Sequence, residues 1–188
     1  PLSAHKAAEI RDWVREKVSA HRFRHIEGVV KTAVQLARRH GVSPPKAEWA
    51  AWLHDCGKEL SPVQMKSWLR GTPFKLDRME KTMPWLWHPH VGAAIARKRW
   101  GVRDKDILEA VESHTLGKPG MGKLAQILFV ADFIEPGRKF GGIGMARKAA
   151  QKDLREGVLM KAAMTLSFLL EKNAPIHPRL VETLNSFR

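Results

Sequence analysis

The sequence comprises 188 residues, of which 44% are hydrophobic, and 33 basic against 19 acidic side chains give it a formal net charge of +14. This length suits one domain with a substantial core, and this hydrophobic fraction excludes a chain that is disordered by composition. No apolar run approaches the roughly 20 residues that a membrane-spanning helix needs, and the first residues lack a signal-peptide pattern. The single cysteine, Cys56, cannot form an internal disulfide. We therefore expect a single-domain protein of the reducing cytoplasm.

The positive charge favours a polyanionic partner, which includes nucleic acid, acidic lipid and phosphate-rich small molecules. The basic residues are scattered along the chain, and only short pairs such as Arg38-Arg39 occur. A generally basic, solvated surface is an equally good interpretation. Nucleic acid therefore remains a candidate partner, but the charge alone does not favour it.

Hydrophobic periodicity predicts one helix after another and no strand. Apolar residues recur at the 3.6-residue period, and Gly and Pro mark the ends of the segments. In chain order, the predicted helices span residues 7–18, 23–39, 46–54, 89–100, 104–114, 123–134, 154–172 and 178–187. A shorter helix starts at Ser61-Pro62 within the less regular stretch 60–83, and Gly141 to Gly144 is predicted to be a flexible spacer.

The expected fold class is all-α, with roughly eight to ten helices in one compact bundle. We divide the single domain, residues 1–188, into an N-terminal helix (1–20), a core that carries the candidate site (21–135) and C-terminal helices (136–188).

His54-Asp55 is the most informative pair in the chain. It follows an apolar helical run and sets a neutral nitrogen ligand beside an anionic oxygen ligand, a combination that suits a divalent metal. His21 and His25 stand four residues apart, so on one helix they share a face. His88 precedes Pro89, which disfavours helical geometry at His88 and predicts that it lies just outside a helix.

Two further candidates lie near helix ends. His114 falls where a helix runs into a Gly-Pro-Gly loop, and Asp132 lies inside an apolar run, where a carboxylate is costly unless it is paired or bound to a metal. Asp132 could instead cap its helix or pair with Arg138. On spacing alone, His90 competes with His88. Three histidines have no supporting context and are assigned to the surface: His5, His40 and His177.

The order His25, His54-Asp55 and Asp132 resembles the His…His-Asp…Asp signature of the HD phosphohydrolase superfamily. The segment 21–29 looks like that family's first helix, and segments 88–93, 113–121 and 131–138 resemble its YqeK-type branch. Members of that branch are symmetrical diadenosine tetraphosphate hydrolases. The chain departs from the branch's usual pattern at four places: Cys56-Gly57, His90, Lys118 and Gly141–Met145.

The resemblance implies a two-metal site. One ion would be held by His25, His54, Asp55 and Asp132, and Asp55 would bridge to a second ion that is also held by His88 and His114. The family points to two irons, and imidazole-rich ligation also suits manganese, cobalt, nickel or zinc. Two such ions can activate a water that lies between them. The implied reaction is hydroxide attack at a β-phosphorus of diadenosine tetraphosphate, which gives two ADP molecules.

A polyphosphate also needs cations beyond the metal ligands. We expect Lys58 and Arg138 to bind phosphate, with Thr115 and Lys118 completing the cradle, although both lysines could be plain surface residues. His21 would contact phosphate or protonate the leaving group. The expected catalytic set is therefore Asp55, Lys58 and His21.

Two other residues near the motifs have weaker assignments. Glu135 either orients a ligand histidine or caps a helix. Cys56 is expected to be a small buried filler and not a nucleophile, because no base is implied for it.

Other functions remain open at this point. The same metal core could serve a nuclease or another nucleotide phosphatase, although the chain has no separate nucleic-acid module. The absence of any Tyr disfavours a Gly-Tyr-Pro-type cyclic-dinucleotide phosphodiesterase. A non-catalytic nucleotide- or RNA-binding protein of the same fold is a third class, and the retention of six candidate ligands argues against it. The metal pair, the physiological nucleotide and the oligomeric state are not predicted.

Overall fold

The computed structural model describes residues 3–188, and over that range the chain contains α-helices and 3₁₀ turns without any β-strand. The expected all-α class is therefore confirmed. The helices are α1 (Ala4–Lys17), α2 (Ala20–Arg39), α3 (Pro44–Leu53), α4 (Pro62–Leu69), α5 (His88–Lys98), α6 (Lys105–Ser113), α7 (Lys123–Ile134), α8 (Ile143–Lys152), α9 (Leu154–Glu171) and α10 (Pro178–Ser186). Two 3₁₀ turns, Glu80–Thr82 and Pro84–Leu86, lie between α4 and α5.

Polar caps fix where several helices begin. The Ser19 side chain accepts a hydrogen bond from the Arg22 N–H at the start of α2, and Asp104 does the same for Ile107 in α6. At α4, Ser61 and Gln64 form a reciprocal capping box. Each cap satisfies a backbone N–H that the first turn leaves free, so the helices that carry the candidate site start at defined residues.

The core forms where α2, α3, α6 and α7 pack on one another, and α9 covers α7 from the C-terminal side. Ile26, Leu53 and Phe129 are fully buried there. Each such side chain stabilises the fold by about 1.5–3 kcal/mol through removal of apolar surface from water. This packing brings the ends of several helices together around one polar interior.

The hydrophobic periodicity did not predict helix α8. The prediction of a flexible spacer from Gly141 to Gly144 is partly wrong. Gly142 takes a left-handed conformation (φ 81°) immediately before α8, but Gly144 lies inside the helix. Ala146 and Ala150 bury the inner face of α8. A Cβ at Gly157 of α9 would lie 3.1 Å from Ala150. This close approach of small residues packs α8 against α9, and the glycines at and before its first turn are a loop signal in the sequence.

Three histidine predictions also need correction. His88 is the first residue of α5 and does not lie outside it; Pro89 is tolerated because the first turn has no partner for its missing N–H. His177 is buried and caps α10, with its Nε2 2.9 Å from Asp77 Oδ2. His40 is half-buried and bonds the Ala150 carbonyl, whereas His5 is exposed as expected.

Within the described residues, no helix combines the length and apolar character that crossing a bilayer requires.

Candidate metal centre

Asp55 lies at the centre of a ring of four histidines. Its Oδ2 faces His25 Nε2 at 3.8 Å and His54 Nε2 at 3.7 Å. Its Oδ1 faces His88 Nε2 at 3.3 Å and His114 Nε2 at 3.5 Å. All five side chains are buried. Each carboxylate oxygen thus faces its own histidine pair, which is the arrangement expected of a carboxylate shared between two ions.

Five elements bring these groups together. His25 projects from α2, His54 ends α3, His88 opens α5 and His114 ends α6. From α7, Asp132 places its Oδ1 3.1 Å from His25 Nε2. Residues far apart in sequence therefore meet because helix ends converge on one point.

Each ring is oriented through its other nitrogen. Nδ1 of His54 lies 2.6 Å from the Ala51 carbonyl and Nδ1 of His114 lies 2.8 Å from that of Val111. Since a carbonyl can only accept, these Nδ1 atoms carry the proton and the Nε2 lone pairs point into the cluster. His88 shows the same pattern, with Nδ1 2.6 Å from the Trp85 carbonyl.

Glu135 plays the equivalent part for His25. Its Oε1 lies 3.2 Å from His25 Nδ1, and its Oε2 accepts a hydrogen bond from the Gly137 N–H. The sequence offered two roles for Glu135, and the geometry favours orientation of a ligand histidine over capping of a helix. Ordering of a ligand ring by a carboxylate is a common feature of metal sites.

Several inward-facing atoms lack protein partners. His25 Nε2, His54 Nε2 and Asp55 Oδ1 are buried without a hydrogen bond. His88 Nε2 and His114 Nε2 do have donors nearby, the Thr115 hydroxyl and for His88 also the Lys58 ammonium, yet these two acceptors approach each other to 3.1 Å. Buried acceptors without donors are rare in proteins. A cation among them would satisfy them all.

The protonation states suit metal binding. Burial lowers the pKa of His54 to about 4, and burial together with the Lys58 charge holds the pKa of His88 well below its usual value. Burial alone would raise the pKa of Asp55, but the neighbouring His54 and Lys58 hold it well below its usual value. These imidazoles are therefore neutral and the carboxylate is ionised at pH 7, as metal ligands must be.

Two triads at this centre have donor atoms that all lie within 4.8 Å of one another: His25, His54 and Asp55, and Asp55, His88 and His114. Together with Asp132 they form a donor set rich in imidazole. This set fits transition metals such as iron, manganese or zinc and suits magnesium or calcium poorly.

Two cationic side chains that the sequence motifs did not identify, those of Arg22 and Lys161, contact the cluster. Arg22 donates from Nη1 to Asp55 Oδ2 at 2.8 Å. Lys161 of α9 is buried and donates to the carbonyls of His114 (2.8 Å) and Phe129 (2.7 Å), and its Nζ lies 3.3 Å from Asp132 Oδ2. A lysine within an apolar run, like Asp132, is a signal of a buried partner that could have identified Lys161 from the sequence.

A cavity of about 830 Å³ opens onto the cluster. Lys58, Thr115 and Arg138 line it beside Asp55 and Asp132. Lys58 Nζ lies 3.0 Å from His88 Nε2, and Arg138 lies 3.3 Å from Asp132 Oδ1. The structure thus brings three of the four candidate phosphate-binding residues to one cavity.

A second cavity, of about 510 Å³, shares Arg22 and Arg138 with the larger one. His21 lines this smaller cavity, beside His25, and does not line the larger one. The two cavities therefore adjoin each other at these two arginines.

Two residues named in the sequence analysis lie elsewhere. Lys118 pairs with Glu109 at 2.7 Å and lines a different surface groove, so the structure does not bring it to the cavity. His90 lies 3.3 Å from Glu80 Oε1 and stacks on Phe74, so His88 is the histidine of the cluster. Cys56 is buried, and burial raises the pKa of its thiol, as expected of a filler.

Comparison with known proteins agrees with this geometry. The HD domain family matches residues 22–137. The chain is 38% identical to the symmetrical bis(5'-nucleosyl)-tetraphosphatase of Bacillus subtilis, over 92% of both chains. It is 30% identical to the protein of the same name from Staphylococcus aureus, over 92% of this chain and 90% of the relative.

A solved structure is similarly close. The crystal structure of a predicted HD superfamily hydrolase involved in NAD metabolism, from Clostridium acetobutylicum, superposes with a TM-score of 0.91. Its sequence is 34% identical, and the match covers 96% of this chain and 95% of that one. The chain therefore belongs to the HD domain family.

Proposed function

We propose that this protein is a metal-dependent hydrolase that cleaves diadenosine tetraphosphate symmetrically into two ADP molecules. The observation that carries the proposal is the cluster of four imidazoles around the Asp55 carboxylate at the floor of a cavity lined by cations. The likeness to relatives named for this activity, along most of their length, supports the choice of substrate.

The cluster divides naturally into two sites. His25, His54, Asp55 and Asp132 would hold one ion, and Asp55, His88 and His114 would hold the other. We favour iron for both, with manganese, cobalt, nickel and zinc as alternatives. When bound, such ions supply a nucleophilic water at neutral pH and withdraw charge from the phosphate.

The cations of the cavity would bind the phosphates of the substrate. Lys58, whose Nζ lies 3.8 Å from Asp55 Oδ1, is placed to stabilise the negative charge that develops on the attacked phosphoryl group. Arg138 and the Thr115 hydroxyl would hold neighbouring phosphate oxygens. Lys118 has no part in this proposal because its ammonium group pairs with Glu109.

The proposed step is attack of a water oxygen on a β-phosphorus. A new P–O bond forms, the bond from that phosphorus to the central bridging oxygen breaks, and this oxygen leaves as part of the second ADP. His21 would contact or protonate the leaving diphosphate from the smaller cavity, where it lies beside the shared Arg22.

The proposal is tested by stripping the protein of metal, reloading it anaerobically with iron or with each alternative ion, and resolving the products of diadenosine tetraphosphate by chromatography. ADP alone is expected. ATP with AMP would overturn symmetrical cleavage. No turnover with any ion, accompanied by tight binding of RNA, would favour the non-catalytic alternative. His54→Ala serves as the inactive control, with helical content measured by circular dichroism.

A further inference from the structure

The larger cavity has two chemically different halves. One half lies against the metal centre and carries the cations described above. The other half is lined by Phe133 and Phe140 at and after the end of α7, and by Met164 and Phe168 of α9. A ligand that fills the whole cavity must therefore be anionic at one end and flat or apolar at the other.

The aromatic half is exposed to solvent to an unusual degree. Phe140 is 39% exposed and Phe168 is 55% exposed. Phe133 and Phe140 have ring centroids 4.9 Å apart at an interplanar angle of 46°. Large apolar side chains gathered at the mouth of a cavity mark a binding surface more often than a solvated one.

These rings lie largely outside the part of the chain that matches the HD domain. The match ends at residue 137, whereas Phe140 and Phe168 follow it. The proposed metal ligands and Phe133 lie within the matched part, whereas Phe140 and Phe168 belong to the C-terminal segment that follows it.

The aromatic half and the half at the metal centre belong to one cavity, and their different chemistry indicates the class of ligand that would fill it. A nucleotide joins a phosphate chain to a flat aromatic base, which matches the order of the two halves. Base stacking on aromatic side chains is typically worth about 1–3 kcal/mol per base. Thr165 and Ser167 also line this half, and their hydroxyls offer hydrogen-bonding groups at its edge.

We propose that Phe140 and Phe168 form a nucleobase site, which binds one base of the substrate while its phosphates reach the metal centre. The inference rests on the proposed function and assigns one end of the substrate to the C-terminal segment. Because every base presents a π-face for stacking, the rings themselves accept adenine and guanine alike.

The test measures binding of ADP and of inorganic pyrophosphate to the metal-loaded protein by calorimetry. Phe168→Ala and Phe140→Ala are expected to weaken ADP binding by about 10-fold, a factor that corresponds to the lower part of the stacking range. Pyrophosphate affinity is expected to stay unchanged, because the cationic half is intact. Leu170→Ala is the matched control, since Leu170 is exposed on the same helix but does not line the cavity.

Two results would overturn the nucleobase site: unchanged ADP affinity in both variants, or equal weakening of ADP and pyrophosphate, which would mean that the rings shape the metal centre. Phe168→Trp must restore ADP affinity if stacking is the cause. A wild-type protein that binds ADP in this way but does not cleave diadenosine tetraphosphate would contradict the proposed function and leave the nucleobase site standing.

Discussion

Asp55 holds its position through contacts to both oxygens, and its environment explains why a carboxylate is stable in the interior. Arg22 donates to Oδ2, and Lys58 lies on the Oδ1 side. These two cations partly offset the buried negative charge, and bound metal would offset the remainder. Both cations also face the cavity, so the groups that stabilise Asp55 are the ones that would meet a phosphate.

Lys58 is expected to act mainly on the rate of the chemical step. Lys58→Met should lower kcat about 100-fold or more, as loss of one preorganised charge donor does in other enzymes, and should leave a folded protein. Lys118→Met is the matched control, because Lys118 pairs with Glu109 outside the cavity, and its kcat should stay close to wild type. Steady-state kinetics on both variants measure the effect. Equal activity of the two variants would show that Lys58 has no catalytic part.

At the scale of elements, α9 ties the C-terminal part of the chain to the metal centre through Lys161. The Lys161 ammonium has three acceptors: the carbonyls of His114 and Phe129 and the carboxylate of Asp132. Burial lowers the pKa of Lys161 to about 8, against the opposing effect of Asp132, so the group stays largely charged at pH 7. Lys161 thereby connects His114, a member of one triad, with Asp132, which lies beside His25 of the other triad.

Lys161→Met should therefore destabilise the fold by about 3 kcal/mol, because the substitution leaves two carbonyls and part of a carboxylate buried without a donor. Urea unfolding at pH 7 gives the free energy of unfolding. Lys172→Met, at an exposed position just after α9, is expected to change it by less than about 0.5 kcal/mol. An unchanged midpoint for Lys161→Met would contradict the structural part assigned to this lysine.

Helix α10 is fastened to the segment before α5 by a charged network. His177 and Arg179 lie 2.9 Å and 3.2 Å from Asp77 Oδ2, and Arg179 also lies 3.4 Å from Glu80 Oε1. Burial alone would raise the pKa values of Asp77 and Glu80, but backbone hydrogen bonds and the contacts with His177 and His90 lower both.

A pH dependence follows from these lowered pKa values. A carboxyl group whose pKa is lower in the folded state stabilises the protein above its unfolded value, here 3.8 for Asp77 and 4.5 for Glu80. That stabilisation is lost as the pH falls through the folded pKa. The free energy of unfolding should therefore decline below pH 4.5, and Glu80→Gln should reduce this decline. A Glu80→Gln protein with the same pH profile as wild type would argue against the network.

Local patterns predicted most of the helices, because caps, prolines and apolar periodicity act within a few residues. They missed α8, because the glycines at and before its first turn are a loop signal in the sequence. For the site, the motif order identified the side chains that meet around Asp55. It did not find Arg22 or Lys161, because their contacts join helices distant in sequence. It placed Lys118 in the cavity, whereas the structure pairs Lys118 with Glu109 of the preceding helix α6.

On the scale of the whole molecule, the candidate ligands come from five helices: α2, α3, α5, α6 and α7. A bound ion would therefore add a further link between these elements. Only the folded chain brings these donors together, so metal binding should stabilise the entire fold and not one helix.

Chelation should accordingly lower the melting temperature. An ion present at 100 times its dissociation constant contributes about 2.7 kcal/mol, which corresponds to roughly 5–10 °C for a domain of this size. Calorimetric melts of metal-loaded and chelator-treated protein measure the difference, and readdition of the ion should reverse it. A melting temperature independent of metal would mean that the buried donors bind no ion.

The most direct test of the shared-carboxylate centre is the number of ions per chain, measured by elemental mass spectrometry after anaerobic loading and gel filtration. The wild-type protein should hold two ions and His88→Gln one, because Gln removes a ligand from only one triad. Asp55→Asn should hold fewer than one, since both triads depend on that carboxylate. Two ions retained by Asp55→Asn would contradict the account.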